Sequence, residues 1–155
     1  MRLAALIESA ELISRQVVGD ATVEVNGVAH DSRAVTAGTL FCCVRGSRVD
    51  GHAHAAAAVT AGAVGLVVDH LLPIEAPVAQ VVVDDVRVAM GVLAAAAAGH
   101  PSRALGLVGG TGTNGKTTTV TLLRAILEAA GHRAEVIGTL TSAPVASAPP
   151  TTPDA

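Results

Sequence analysis

The chain has 155 residues and a formal net charge of −3, enough for one ordinary domain, or for a small domain plus part of another. Half of it is hydrophobic and 15% is charged, which excludes low-hydrophobicity, high-charge disorder for the chain as a whole. A pI near 6.0 gives no global basic footprint for nucleic acid or an anionic membrane. The apolar residues are mostly Ala and Val, with one Phe and neither Trp nor Tyr, so each buried side chain removes less apolar area from water.

Leu3, Leu6 and Ile7 recur at helical spacing and predict a short amphipathic helix over residues 2–9. Glu8 and Glu11 interrupt any long apolar core there, so the N-terminus lacks a signal-peptide pattern. Val23 and Val25 alternate toward Val28, which predicts a strand over 22–28. The polar run 31–38 ends in Gly38 and reads as a loop, and Leu40–Val44 is a second strand. Cys42 and Cys43 are adjacent on it. Neighbours on a strand point to opposite faces and cannot form an ordinary disulfide, so they read as small core residues in a reducing compartment. Residues 46–51 form another loop, and 53–61 favour helix, with Gly62 at its C-terminal cap.

Val64–Val68 and Val78–Val83 are apolar strands, and Asp84 and Asp85 cap an Ala-rich helix running to about residue 98. The stretch Ala89–Ala98 is too short and Ala-rich to span a bilayer. The expectation is therefore a soluble cytoplasmic protein without membrane insertion. The rhythm to residue 101 is that of a small α/β domain. Gly99-His100-Pro101-Ser102 is a break, because Pro101 cannot continue a helix. The second unit, 102–155, is predicted as strand 105–108, a Gly/Thr loop, helix 117–130 ended by Gly131, strand 134–137, and a Ser/Ala/Pro/Thr tail over 141–155. A single βαβ piece cannot close its own core, so the chain reads as the N-terminal part of a longer protein.

Gly110-Thr111-Gly112-Thr113-Asn114-Gly115-Lys116-Thr117 fits the phosphate-loop pattern G-x-x-x-x-G-K-T. Glycines let backbone N–H groups turn around a phosphate, and the helix start adds free N–H groups and a positive dipole end. Lys116 places a charge on the outer phosphates, and the Thr117 hydroxyl suits Mg²⁺. A nucleotide is implied, not a reaction. After Ile137 the only acid is Asp154, so no complete catalytic constellation is visible.

Three blocks resemble the Mur ligases. The first is Asp31-Ser32-Arg33, Ala37-Gly38-Thr39-Leu40-Phe41, Gly46 and Asp50-Gly51-His52. The second is Gly62-Ala63-Val64, the third is Thr111 to Thr118, and a late Thr151-Thr152-Pro153 follows. The resemblance covers nearly the whole chain and points to the members that add the third peptide residue. It implies a complete first domain over 1–101, which binds the UDP substrate, and the opening strand, P-loop, helix and strand of an incomplete central ATPase domain over 102–155.

The implied activity is ATP-dependent ligation of diaminopimelate or lysine to UDP-N-acetylmuramoyl-L-alanyl-D-glutamate, in peptidoglycan precursor synthesis and hence in cell-wall biogenesis, cell shape and division. A substrate carboxylate takes the γ-phosphoryl group to become an acyl phosphate, which the incoming amine displaces. The alternatives are another Mur ligase, such as the D-Ala-D-Ala-adding member, or a non-catalytic nucleotide-sugar or nucleotide-binding fragment. The resemblance also implies a monomer with no nucleic-acid partner, and a 155-residue chain that is inactive alone.

By position, Ser32 is similar to the serine that meets the uridine diphosphate moiety, and Ser47, Arg48 and Val49 fall in the loop flanking the uracil. Asp31 and Arg33 look loop-shaping. Asp31 and Ser32 have the alternative of simply capping a turn, and Arg48 that of a solvated charge. Gly112, Thr113, Asn114, Gly115, Lys116, Thr117 and Thr118 are implied in binding ATP, with Lys116 catalytic and Thr117 on Mg²⁺. Thr151 and Thr152 are implied at the muramoyl or peptide part. The chain departs from the family at Gly110, Ala37, Cys42, Cys43, Ala53 and His54. With a single Phe, the first domain is expected to lack an aromatic anchor.

Overall fold

A computed structural model describes residues 1–13, 16–47 and 49–138. It divides into two compact units, Met1–Gly106 and a second beginning at Leu107. No helix among the described residues is long and apolar enough to cross a membrane.

The first unit is built on a five-stranded sheet, β1 (Gln16–Val18), β2 (Gly27–Ala29), β3 (Thr39–Cys42), β4 (Ala63–Val68) and β5 (Ala79–Val82), in the order β1-β5-β4-β3-β2. β2 to β5 are mutually parallel, and β1 closes one edge antiparallel to β5. Helices α1 (Leu3–Ser9) and α3 (Val86–Ala97) cover one face, where Leu3, Leu6, Ala89 and Leu93 pack with Leu40, Cys42, Val67 and Val81. Helix α2 (Ala55–Thr60) covers the other, placing Ala55 and Ala58 with Phe41, Cys43, Leu66 and Val68.

Alternation along β3 therefore assigns Phe41 and Cys43 to one layer and Leu40 and Cys42 to the other. Both cysteines are free and fully buried, as their strand position implied. Burial pushes both thiols up to about 12. The expected want of an aromatic anchor is corrected: Phe41 is 0% exposed and is the largest fully buried side chain.

The expected strand over 22–28 is also corrected, to Gly27–Ala29. Its first half serves α1 instead. The helix has no side-chain cap, and its first N–H groups donate to backbone, Leu3 to the Val23 carbonyl (2.9 Å) and Ala4 to that of Ala21 (3.0 Å). Strand β1 has no counterpart in the sequence reading, because three residues at an edge carry no resolvable period. At α3, Asp85 accepts from the N–H groups of Arg87 and Val88 at 2.8 and 3.0 Å. Gly62 follows α2 with φ +111°, as a C-terminal cap requires. Beyond α3, the 3₁₀ turn Pro101–Ala104 stays with the first unit, and the preceding His100 ring lies 3.1 Å from the Ser9 carbonyl.

In the second unit, α4 (Lys116–Ala129) stands where a helix over 117–130 was expected. The expected strands 105–108 and 134–137 do not form. A strand exists through its ladder, and no described residue pairs with either segment. Leu105, Leu107, Val108 and Ile137 are accordingly 62–77% exposed. The expected tail over 141–155 lies outside the described residues.

Candidate functional site

Because β2 to β5 run parallel, the loops that follow them emerge at one edge of the sheet, where ligands of open α/β sheets bind. After β2 comes the 3₁₀ turn Ser32–Ala34, capped by Asp31, which accepts the Arg33 N–H at 2.9 Å. Arg33 turns back to pair with the same carboxylate at 2.7 Å. The guanidinium bond to Arg33, with its backbone N–H, holds the Asp31 carboxyl down at about 2. Asp31 and Arg33 thus shape the loop, and Asp31 caps a turn. Ser32 is half-buried within it.

After β3, the segments 44–47 and 49–51 pair as a tight hairpin. Arg45 bridges Asp50 antiparallel, the Gly46 N–H donates to the Val49 carbonyl at 2.9 Å, and the Gly51 N–H donates to that of Val44 at 2.9 Å. A Cβ on Gly51 would sit 2.6 Å from the Val44 carbonyl oxygen, so only glycine allows this close approach. Ser47 and Val49 are exposed on the hairpin. Arg48 lies outside the described residues, as do Thr151, Thr152 and Asp154. Since β2 and β3 are adjacent, the Ser32 turn and this hairpin follow neighbouring strands at the same edge.

After β4 come Asp69 and His70, which the sequence reading passed over. Asp69 pairs with Arg45 Nε (3.0 Å) and with His70 Nδ1. Burial opposes its ionisation, but the His70 bond, His52 and Arg45 together hold its carboxyl below the ordinary range. Asp50 accepts the His52 backbone N–H at 3.0 Å and faces its ring Nδ1 at 2.6 Å. Those two bonds, the backbone one first, lower the Asp50 carboxyl. After β5, Asp84 and Asp85 line a cleft with Arg45, Asp69 and Arg87. The signal for Asp69-His70 was available: two polar residues ending an apolar run at a strand's carboxyl end.

The second unit carries the phosphate loop. Gly115 has φ +79°, a left-handed conformation that favours glycine, and it forms the N-cap of α4. Lys116 is the first helical residue, and its Nζ folds back to donate to the Gly112 carbonyl. The first backbone bond of the helix runs from the Thr119 N–H to the Gly115 carbonyl (2.9 Å). The N–H groups of Lys116, Thr117 and Thr118 therefore lack partners along the helix and point from its positive end. No side chain caps this helix start. This donor set fits an oxyanion, and the single Thr117 hydroxyl fits a Mg²⁺ ion whose other ligands are phosphate and water.

Two family descriptions match in succession: "Mur ligase family, catalytic domain" over residues 24–98 and "Mur ligase middle domain" over 111–155. Among curated proteins, the UDP-N-acetylmuramoyl-L-alanyl-D-glutamate--2,6-diaminopimelate ligase of Syntrophomonas wolfei is 41% identical over 117 residues, 76% of this chain and 24% of that protein. Its namesake from Geobacillus thermodenitrificans is 47% identical over 110 residues, 71% of this chain and 22% of the relative. The chain thus spans about a quarter of the length of the curated relatives it matches. Among solved structures, the UDP-N-acetylmuramoylalanyl-D-glutamyl-2,6-diaminopimelate--D-alanyl-D-alanyl ligase of Acinetobacter baumannii superposes with a TM-score of 0.58 at 30% identity, over 83% of this chain and 28% of that one. With both matches falling in the family's order along one chain, the protein belongs to the Mur ligase family.

Proposed function

We propose that this chain supplies the uridine-substrate and ATP-phosphate anchors of an ATP-dependent ligase that adds 2,6-diaminopimelate to UDP-N-acetylmuramoyl-L-alanyl-D-glutamate, a cytoplasmic step of peptidoglycan precursor synthesis. The observation that carries this reading is the lysine-bearing helix head of α4, standing after an α/β unit of the same family. Identities of 41% and 47% to diaminopimelate-adding ligases support that amino acid over lysine. The first domain is residues 1–101 and the opening of the ATP-binding domain is 102–155.

Ser32 and the loop of Ser47, Arg48 and Val49 hold the uridine diphosphate end. The N–H groups of Gly112 to Thr118 cradle the phosphates, and Lys116 leaves the Gly112 carbonyl to neutralise charge developing on the transferred phosphoryl group. ATP supplies the phosphoryl group that activates the substrate carboxylate, with Mg²⁺ held in part by Thr117. Thr151 and Thr152 meet the muramoyl-peptide part. The D-alanyl-D-alanine-adding activity is a second reading, favoured by the likeness to the Acinetobacter baumannii structure. The Thr113-Asn114 pair in the loop and the lower identity make it the weaker one.

The test is a chimera in which this chain replaces the matching segment of the Geobacillus thermodenitrificans relative. Given MgATP, the UDP-dipeptide and diaminopimelate, it should form the UDP-tripeptide, read by mass spectrometry. A cooperatively melting chimera that makes no tripeptide would contradict the proposal.

A further inference from the structure

The polar cluster at the carboxyl edge of the first unit contains more chemistry than the ligase reading uses. His52 is its centre, with a side chain only 7% exposed. Its Nδ1 lies 2.6 Å from an Asp50 oxygen. An ionised carboxylate only accepts, so a ring hydrogen sits on Nδ1, and Nε2 of the neutral ring carries the lone pair. That Nε2 is buried without a hydrogen-bond partner, although Asp69 Oδ1 is 3.2 Å away. The contact has the distance of an ion pair and not the direction of a hydrogen bond.

A third donor joins them. His70 Nδ1 lies against the same Asp69 Oδ1, and its ring stacks on His52 with centroids 5.0 Å apart and planes at 24°. One atom from each of His52, Asp69 and His70 falls within 4.8 Å of the others. Arg45 holds both oxygens of Asp69, with Nε 3.0 Å from Oδ2 and a terminal guanidinium nitrogen 3.4 Å from Oδ1, and Oδ1 also faces the two rings. The three residues come from two loops brought together because β3 and β4 are adjacent and parallel.

We propose that His52 Nε2, Asp69 Oδ1 and His70 Nδ1 form a binding site for one divalent late first-row transition-metal ion of the Zn²⁺ class. Two imidazoles and a carboxylate suit such an ion, whereas Mg²⁺ and Ca²⁺ take oxygen ligands. The Asp50–His52 pair is the carboxylate–histidine contact that orients metal-bound imidazoles and fixes their tautomer. Asp50 is accordingly a positioning residue. Three protein ligands leave the remaining positions to solvent, and a bound ion ties the loop after β4 to the turn that opens α2. This site is in the first unit, apart in sequence from Lys116 and Thr117, and it does not depend on the ligase reading.

The experiment titrates the full chain with Zn²⁺ alone by calorimetry, and with Co²⁺ alone by visible absorption. One ion per chain is expected, without a thiolate-to-cobalt band, because both cysteines are buried. His70 is exposed, so His70→Ala should keep the far-ultraviolet dichroism and weaken binding at least tenfold. Asp50→Asn should weaken it by about 10–100-fold. Lys116→Ala should leave it unchanged, and excess Mg²⁺ should not compete. Absence of stoichiometric Zn²⁺ binding, which would leave a proton as the only occupant, overturns the proposal. So does equal affinity in the folded His70→Ala variant.

Discussion

The two units of this chain treat the same raw material differently. Helix α3 buries Val86, Ala89, Leu93 and Ala96 against a sheet. Helix α4 is equally amphipathic in sequence, yet none of its residues is buried, and Leu122 and Ile126 stay 60% and 65% exposed. An apolar stripe states what a helix needs to bury, and only a facing surface lets it do so. What organises the head of α4 is local: a left-handed Gly115 and the Lys116 contact to Gly112. Near its end it has an Arg124–Glu128 pair at 2.8 Å. The first unit positions chemistry on the ends of buried strands, and the second, among its described residues, on a helix terminus.

The sharpest way to break this contrast is to truncate one large apolar side chain in each unit. Phe41→Ala should destabilise the first unit by about 3–5 kcal/mol, the range for a buried aromatic. Leu122→Ala should change thermal stability by no more than about 0.5 kcal/mol, as exposed positions do. Thermal melts of the two variants followed by dichroism check both, and similar losses would show α4 to be packed. Of intermediate size is Asp85→Ala, which removes two bonds to α3 N–H groups and should cost about 1 kcal/mol.

The order of legibility follows the same divide. The apolar runs that became β4 and β5, and the caps at Asp85 and Gly62, were readable because local pattern and tertiary burial agree there. So was the fate of Cys42 and Cys43, since period 2 alone separates them. Phe41 was underrated because counting aromatics ignores where one sits: at the centre of β3 a single ring serves the whole α2 layer. The segments 105–108 and 134–137 have strand composition, but a ladder partner is not a property of a segment. Of the candidate site, the Ser32 turn and the phosphate loop were legible as motifs. Asp69 and His70 were legible only as polar residues ending a strand, because their partners Arg45 and His52 come from the pairing of β4 with β3.

The smallest effect concerns the Asp31 turn, which is exposed. Its carboxyl is lowered from 3.8 to about 2 in the folded chain. A depressed folded value means that its contribution is fully present above pH 3.8 and is lost as pH falls through 2. The Asp31 side-chain carbon signal in a nuclear magnetic resonance titration should therefore move near pH 2, and Arg33→Ala should bring the midpoint back toward 3.8. A midpoint at 3.8 in the unmodified chain would remove the pair as the organiser of the turn.

The central claim is a division of labour, with the first unit holding the uridine substrate and the second holding ATP phosphate. Its most direct test is calorimetry of the Geobacillus thermodenitrificans chimera with each ligand in turn, comparing Lys116→Ala with Ser32→Ala. Lys116→Ala should weaken MgATP binding by about 1.5–3 kcal/mol, the scale of a hydrogen bond to a charged group, and leave UDP-dipeptide affinity within about twofold. Ser32→Ala should weaken the UDP-dipeptide alone, by about 1–3 kcal/mol if its bond to the substrate is lost. Near-normal MgATP affinity in Lys116→Ala, or equal weakening of both ligands by either substitution, would contradict the account.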